Sequence, residues 1–105
     1  MRKNDYRSFY QDKLKIDLTG LDIHHIDEDR SNNDILNLVA LPSWLHKKFH
    51  FHKRGYENIL DKMKTSLFEL TEYEVNNMIE LLNCYKECSE WIYKRDIRLM
   101  ELYAK

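Results

Sequence analysis

Residues 21–52 read LDIHHIDEDRSNNDILNLVALPSWLHKKFHFH, and this stretch decides the fold. The run Leu21, Asp22, Ile23, His24, His25, Ile26 predicts a short strand, and Asp27 to Asp34, almost wholly charged or amide-bearing, predicts a polar loop. Asn37, Leu38, Val39, Ala40 and Leu41 form a second strand candidate. Pro42 stops it, because proline cannot serve a central strand and fits the first turn of a helix. A helix is then expected from about Ser43 to Lys53, ending near Gly55. The local order is strand, polar loop, strand, helix.

All five histidines fall inside this stretch. His46 and His50 are four apart on the expected helix, so both rings leave one face and can reach a common ion. His24 and His25 are neighbours at the end of a strand, where successive side chains point to opposite sides, so that one can bind a metal while the other faces a substrate. If the two strands pair and the helix folds back on them, His24, His46 and His50 can form a three-imidazole site with open coordination positions.

With His24-His25-Ile26-Asp27, Asn32-Asn33, Asn37-Leu38-Val39-Ala40-Leu41, His46 and His50 in this order and spacing, the chain resembles the HNH endonucleases and their ββα-metal (His-Me) finger. The resemblance implies His24 as the first metal ligand, His25 as the general base that activates water, and Asn37 as the asparagine that pins the loop so that the base is aimed. It implies His46 and His50 as the remaining ligands. Asp22 adds a carboxylate near the site, and Asn32 and Asn33 supply turn geometry. One divalent cation is expected; three neutral nitrogens suit Zn, Ni, Co or Mn better than Mg, which prefers oxygen. Many family members brace the hairpin with two CxxC pairs on a structural zinc, which this sequence lacks, so helical packing is expected to replace that brace.

Outside the finger, Tyr6, Phe9 and Tyr10 are spaced like a short helical face within a helical and connecting segment of residues 1–20. The finger takes residues 21–54, and residues 55–105 read as a helical support. In that support Ile59, Leu60, Met63, Leu67 and Leu70 recur at helical spacing. Thr71 with Glu74 is a capping box, and the span from Val75 to Tyr103, free of glycine and proline, predicts one long helix or two with a kink. Its stripe through Val75, Met78, Leu82 and Ile92 suggests a homodimer. Cys84 and Cys88 read as a buried reduced pair, far from every histidine.

The formal net charge of −1 excludes binding to nucleic acid through the overall field. The charge is divided, however: residues 1–54 carry 10 Lys and Arg against 8 Asp and Glu, and residues 55–105 carry 7 against 10. Positive potential therefore sits with the histidines, and Lys47, Lys48, His52, Lys53 and Arg54 are the candidate phosphate contacts. Trp44 and Phe49 read as core anchors. Asp27, Glu28, Asp29 and Asp34 lack the glycine and terminal glutamate of an EF-hand loop and read as solvated. No apolar run is long enough to span a bilayer, and Met1 to Asp5 lead into no apolar signal core, so a cytoplasmic location is expected.

The expected fold is therefore α+β, a small ββα-metal finger embedded in a mainly helical chain. The expected activity is metal-dependent hydrolysis of phosphodiester bonds in DNA. The alternatives are a catalytically silent, metal-stabilised DNA-binding or interaction module, and a ribonuclease.

Overall fold

A computed structural model describes residues 2–65 and 69–104. Helix α1 (Lys3–Leu14) leads to strand β1 (Leu21–His25), a single 3-10 turn (Ile35–Asn37), strand β2 (Leu38–Pro42), helix α2 (Ser43–Thr65) and helix α3 (Glu72–Tyr103). The two strands pair antiparallel, with Leu21 opposite Pro42, Ile23 opposite Ala40 and His25 opposite Leu38. The chain is thus α+β, a two-stranded hairpin followed by helices in a mostly helical protein.

The hairpin is covered on both faces, which explains why β2 is apolar throughout. Val39 and Leu41 point into a cluster with Leu45 and Phe49 of α2 and Leu81, Cys84 and Cys88 of α3. Leu38 and Ala40 point the other way, into a cluster with Tyr10, Leu14, Leu18 and Ile23. Both cysteines are free thiols in the first of these clusters, and burial raises the pKa of Cys88 to about 11. Pro42 closes β2 instead of opening α2, which a hairpin allows because β2 has only one paired edge. Gly20 turns the chain into β1 with a positive φ of 76°, and its carbonyl accepts the Ser43 amide at 3.2 Å.

Arginines tie the hairpin and its connector to the helices. Arg95 of α3, only 5% exposed, donates through Nη1 to the carbonyls of Leu36 and Leu38, each at 2.9 Å. Arg98 donates to Leu14 O at 2.9 Å, and Arg7 of α1 donates to Leu21 O at 2.8 Å. Tyr10 adds a phenolic oxygen that accepts the Ala40 amide at 3.2 Å. Polar side chains from two helices thus hold the connector and hairpin by their backbone.

The second half departs from expectation at Gly55. Helix α2 does not end there but runs on to Thr65, so residues 56–65 and the finger helix are one element and the 54/55 boundary falls inside it. The reason is close packing and not termination. A Cβ on Gly55 would stand 2.7 Å from Asn77 Nδ2 and 2.8 Å from its Oδ1. Asn77 in turn accepts from His52 Nδ1 at 2.8 Å and donates to His52 O at 3.0 Å, tying α3 to α2. Gly55→Ala is therefore expected to destabilise by about 1 to 3 kcal/mol, since the clash and the broken amide contacts outweigh the ~1 kcal/mol by which alanine favours a helix. Urea unfolding reads the sign directly: a stabilised variant would show that the glycine is not needed for helix approach.

Helix α3 is continuous, opened by the expected box: Glu74 N donates to Thr71 Oγ1 at 3.1 Å and Thr71 N to Glu74 Oε1 at 3.0 Å. Its apolar stripe divides. Ile92 packs against the core, while Ile79, Leu82, Tyr93 and Met100 stay exposed. Leu67, part of the expected spacing before Thr71, lies outside the described residues.

Candidate active site

Strand alternation separates the adjacent histidines. His24 turns toward α2, where its ring lies 5.3 Å from His46, 5.4 Å from His50 and 5.0 Å from Phe49, centroid to centroid. His25 turns toward α1 and meets the edge of Tyr6 at 4.9 Å. Both still line one cavity of about 360 Å³, with Tyr6, Asp22, Glu28, Arg30, His46 and His50 around it.

His24, His46 and His50 each offer a nitrogen, and these atoms lie within 4.8 Å of one another. The donor set suits a divalent cation. His46 Nδ1 sits 3.3 Å from Asp22 Oδ2, so the carboxylate keeps the proton on Nδ1 and leaves the Nε2 lone pair facing inward. Asp22 is itself held by Ser43 Oγ, which donates to its Oδ1 at 3.0 Å. His50 Nε2 lies 2.9 Å from that same His46 Nε2. Two bare lone pairs do not sit so close, so a proton lies between them, at a place where a cation could be held instead.

Burial drives His24 down from 6.5 to about 4, helped by His46 and His50, and His50 is lowered by burial and by His46. At neutral pH these rings are neutral, as ligation requires. The same shift links stability to pH. The folded value of His24 lies below the unfolded one, so the unfolded chain takes up the proton first. The metal-free protein is expected to keep its full stability above about pH 6.5 and to lose roughly 3 kcal/mol from this group by about pH 4. Asp27 and Asp29, whose pKa values are depressed, act below that window. Urea midpoints at pH 7 and 4.5 check this, with His24→Leu flattening the difference; equal midpoints in the parent would refute it.

His25 is held by a residue expected only to shape the turn. Asn33 Oδ1 lies 2.9 Å from His25 Nε2, while Asn33 Nδ2 donates to Arg30 O at 3.3 Å. With its amide fixed that way round, Asn33 accepts the Nε2 proton and leaves the lone pair of His25 on Nδ1. Asn37 knits the loop to the strand end: Nδ2 donates to Asp27 Oδ1 at 2.8 Å and Asn32 O at 2.9 Å, and Oδ1 accepts the Asp27 amide at 3.1 Å.

The basic candidates separate. Lys48 pairs with Glu80 at 2.9 Å and Lys53 with Glu28 at 2.8 Å, while His52 is taken up by Asn77. Lys47 and Arg54 line a second hollow that adjoins the cavity through His46 and His50, with no carboxylate partner among the described residues. Trp44, expected in the core, is 60% exposed, whereas Phe49 is buried as expected. Sequence reasoning passed over Tyr6, Asn33 and Arg30 as site residues; Arg30 carried the one available signal, a lone cation in an acidic loop.

A family model described as HNH endonuclease matches residues 15–44. The hairpin and the first two residues of α2 are therefore similar to the HNH endonuclease model, as the resemblance implied, and the match points to a nuclease-type function. It includes His24, His25, Asn33 and Asn37 and stops before His46 and His50. No curated protein and no solved structure matches the chain. Among the described residues, no helix is long and apolar enough to cross a membrane.

Proposed function

We propose that this protein is a metal-dependent endonuclease that hydrolyses phosphodiester bonds in DNA. The observation that carries this reading is the convergence of the His24, His46 and His50 nitrogens in the cavity that His25 also lines. Those three residues would hold a divalent cation, which would supply Lewis-acid polarisation of the phosphoryl oxygen and stabilisation of the departing 3′ oxygen. His25 takes a proton from water at Nδ1 as the water oxygen bonds to phosphorus and the P–O3′ bond breaks. Asn33 keeps His25 in that tautomer, and Asn37 holds the loop that carries Asn33. Asp22 orients His46. Arg30, on the same wall, is placed to meet a phosphate oxygen.

A plasmid-nicking assay across Zn, Ni, Co, Mn and Mg, with a chelator control, tests the activity. Metal-dependent nicking is expected. Cleavage of RNA but not DNA would make the protein a ribonuclease, and no cleavage with any metal would leave a silent binding module.

The exposed residues Val75, Ile79, Leu82, Tyr93 and Met100 lie on a three-four repeat along α3. They support a homodimer through that helix, which would present two sites for cutting both strands. Sedimentation at micromolar concentration is expected to give a dimer; a monomer would refute it.

A further inference from the structure

We propose that the face of α2 carrying Trp44, Lys47, Phe51 and Arg54 binds unpaired nucleotides, so that the substrate class is nucleic acid with a single-stranded segment beside the scissile phosphate. The proposal rests on the nuclease reading above for the position of that phosphate.

The four residues fall at positions i, i+3, i+7 and i+10 of one helix, within a stripe of about 80° at ~100° per residue. Lys47 and Arg54 lie on the side of that stripe nearer His46 and His50; Phe51 and Trp44 follow. A strand whose phosphate sits at the histidines therefore meets the two cations first and the two rings next. A second hollow shows the same continuity: Lys47, Phe51 and Arg54 line it, and it adjoins the histidine cavity through the shared residues Asp22, His46 and His50.

Exposure and charge decide the occupant. Trp44 is 60% and Phe51 59% exposed, on the side of α2 turned away from the core that takes Leu45 and Phe49. Lys47 stands between the two rings and Arg54 beyond them, and as far as Lys62 the rest of this face is Asn58 and Lys62, with Gly55 and Asp61 at its edges and no aliphatic side chain. A protein-docking face would gather aliphatic area at its centre. Aromatic rings alternating with Lys and Arg suit a polyanion with accessible base faces. The two rings are about 10 Å apart along the helix axis, whereas bases in a duplex are stacked about 3.4 Å apart with their faces hidden. Only an unpaired strand can offer both rings a base.

The test is binding of a labelled oligothymidylate and of a hairpin duplex of equal length to the full protein in chelator, where no metal-dependent cleavage interferes. Trp44→Ala and Phe51→Ala are each expected to weaken oligothymidylate binding about 5- to 150-fold, as the loss of one stacked base does, with the salt dependence unchanged and duplex binding unaltered. Lys47→Ala is expected to flatten the salt slope by about 0.7 unit instead. In a Trp91→Phe background, the fluorescence of Trp44 is expected to be quenched by the oligothymidylate. Urea midpoints equal to the parent's accompany these results, because both rings are mainly exposed. Equal losses on strand and duplex, or none on either, would overturn the proposal. Metal-dependent cleavage with no preference for unpaired strand would overturn this inference and leave the nuclease reading standing. Stacking without cleavage would overturn the nuclease reading and sustain the surface.

Discussion

His25→Ala is expected to lower the nicking rate by about 10² to 10⁴ fold while metal binding persists. The expectation follows from the two sides of β1. His25 faces Tyr6 and Asn33 and is not one of the three residues of the nitrogen group; His24 belongs to that group and lies against Phe49. Removing His24, His46 or His50 takes away a proposed ligand, so metal affinity is expected to fall and excess metal to restore part of the activity. Asp22→Asn leaves all three nitrogens in place but weakens the acceptor on His46 Nδ1, which is expected to reduce metal affinity about 10- to 100-fold. Asn33→Ala is expected to mimic His25→Ala in part, slowing cleavage at unchanged metal affinity, because the tautomer of His25 is no longer held. Calorimetric metal titration beside nicking rates separates these classes. If His25→Ala loses metal as badly as His24→Ala, or cleaves at the parent rate, the division of roles is wrong.

What could be read from the residues was what depends on local period. The unbroken apolar run Leu38 to Leu41 matches a strand buried on both faces, and the i, i+4 histidines project from one face of a helix whatever surrounds it. The Thr71–Glu74 box is equally local. What escaped reading depends on partners distant in sequence. Gly55 looks like a helix end until Asn77 is placed against it. Lys48 and Lys53 look like free cations until Glu80 and the left-handed Glu28 reach them. Asn33 looks like turn punctuation because its use lies across the loop on His25. Trp44 shows the limit of assigning burial by residue type: on α2 its position falls outside both core clusters, and position prevails over hydrophobicity.

Replacing Arg95 is expected to have the largest effect on stability, about 3 to 5 kcal/mol, even though nothing in its sequence context marks it. Its guanidinium is buried where α3 crosses the start of β2 and serves two backbone carbonyls through one nitrogen. Its remaining donors, Nε and Nη2, reach Asp96 Oδ1 at 3.2 and 2.9 Å, so the charge is balanced inside the same contact. Leu38, whose carbonyl it holds, is fully buried and stands opposite His25. Without the guanidinium, the buried Leu38 carbonyl loses this donor and water has little access to replace it. Arg95→Met keeps most of the apolar stem, so it isolates the lost hydrogen bonds from lost volume and is expected to show most of the penalty. Arg95→Lys keeps the charge but offers a compact ammonium in place of a planar fork, and is expected to recover less than half. Because the proposed cation site of His24, His46 and His50 exists only in the folded chain, adding metal is expected to raise all the midpoints together by mass action without changing their order. Urea unfolding in chelator and with metal measures both effects. A Met variant as stable as the parent would mean that hydrophobic packing, and not the arginine, braces the hairpin in place of zinc.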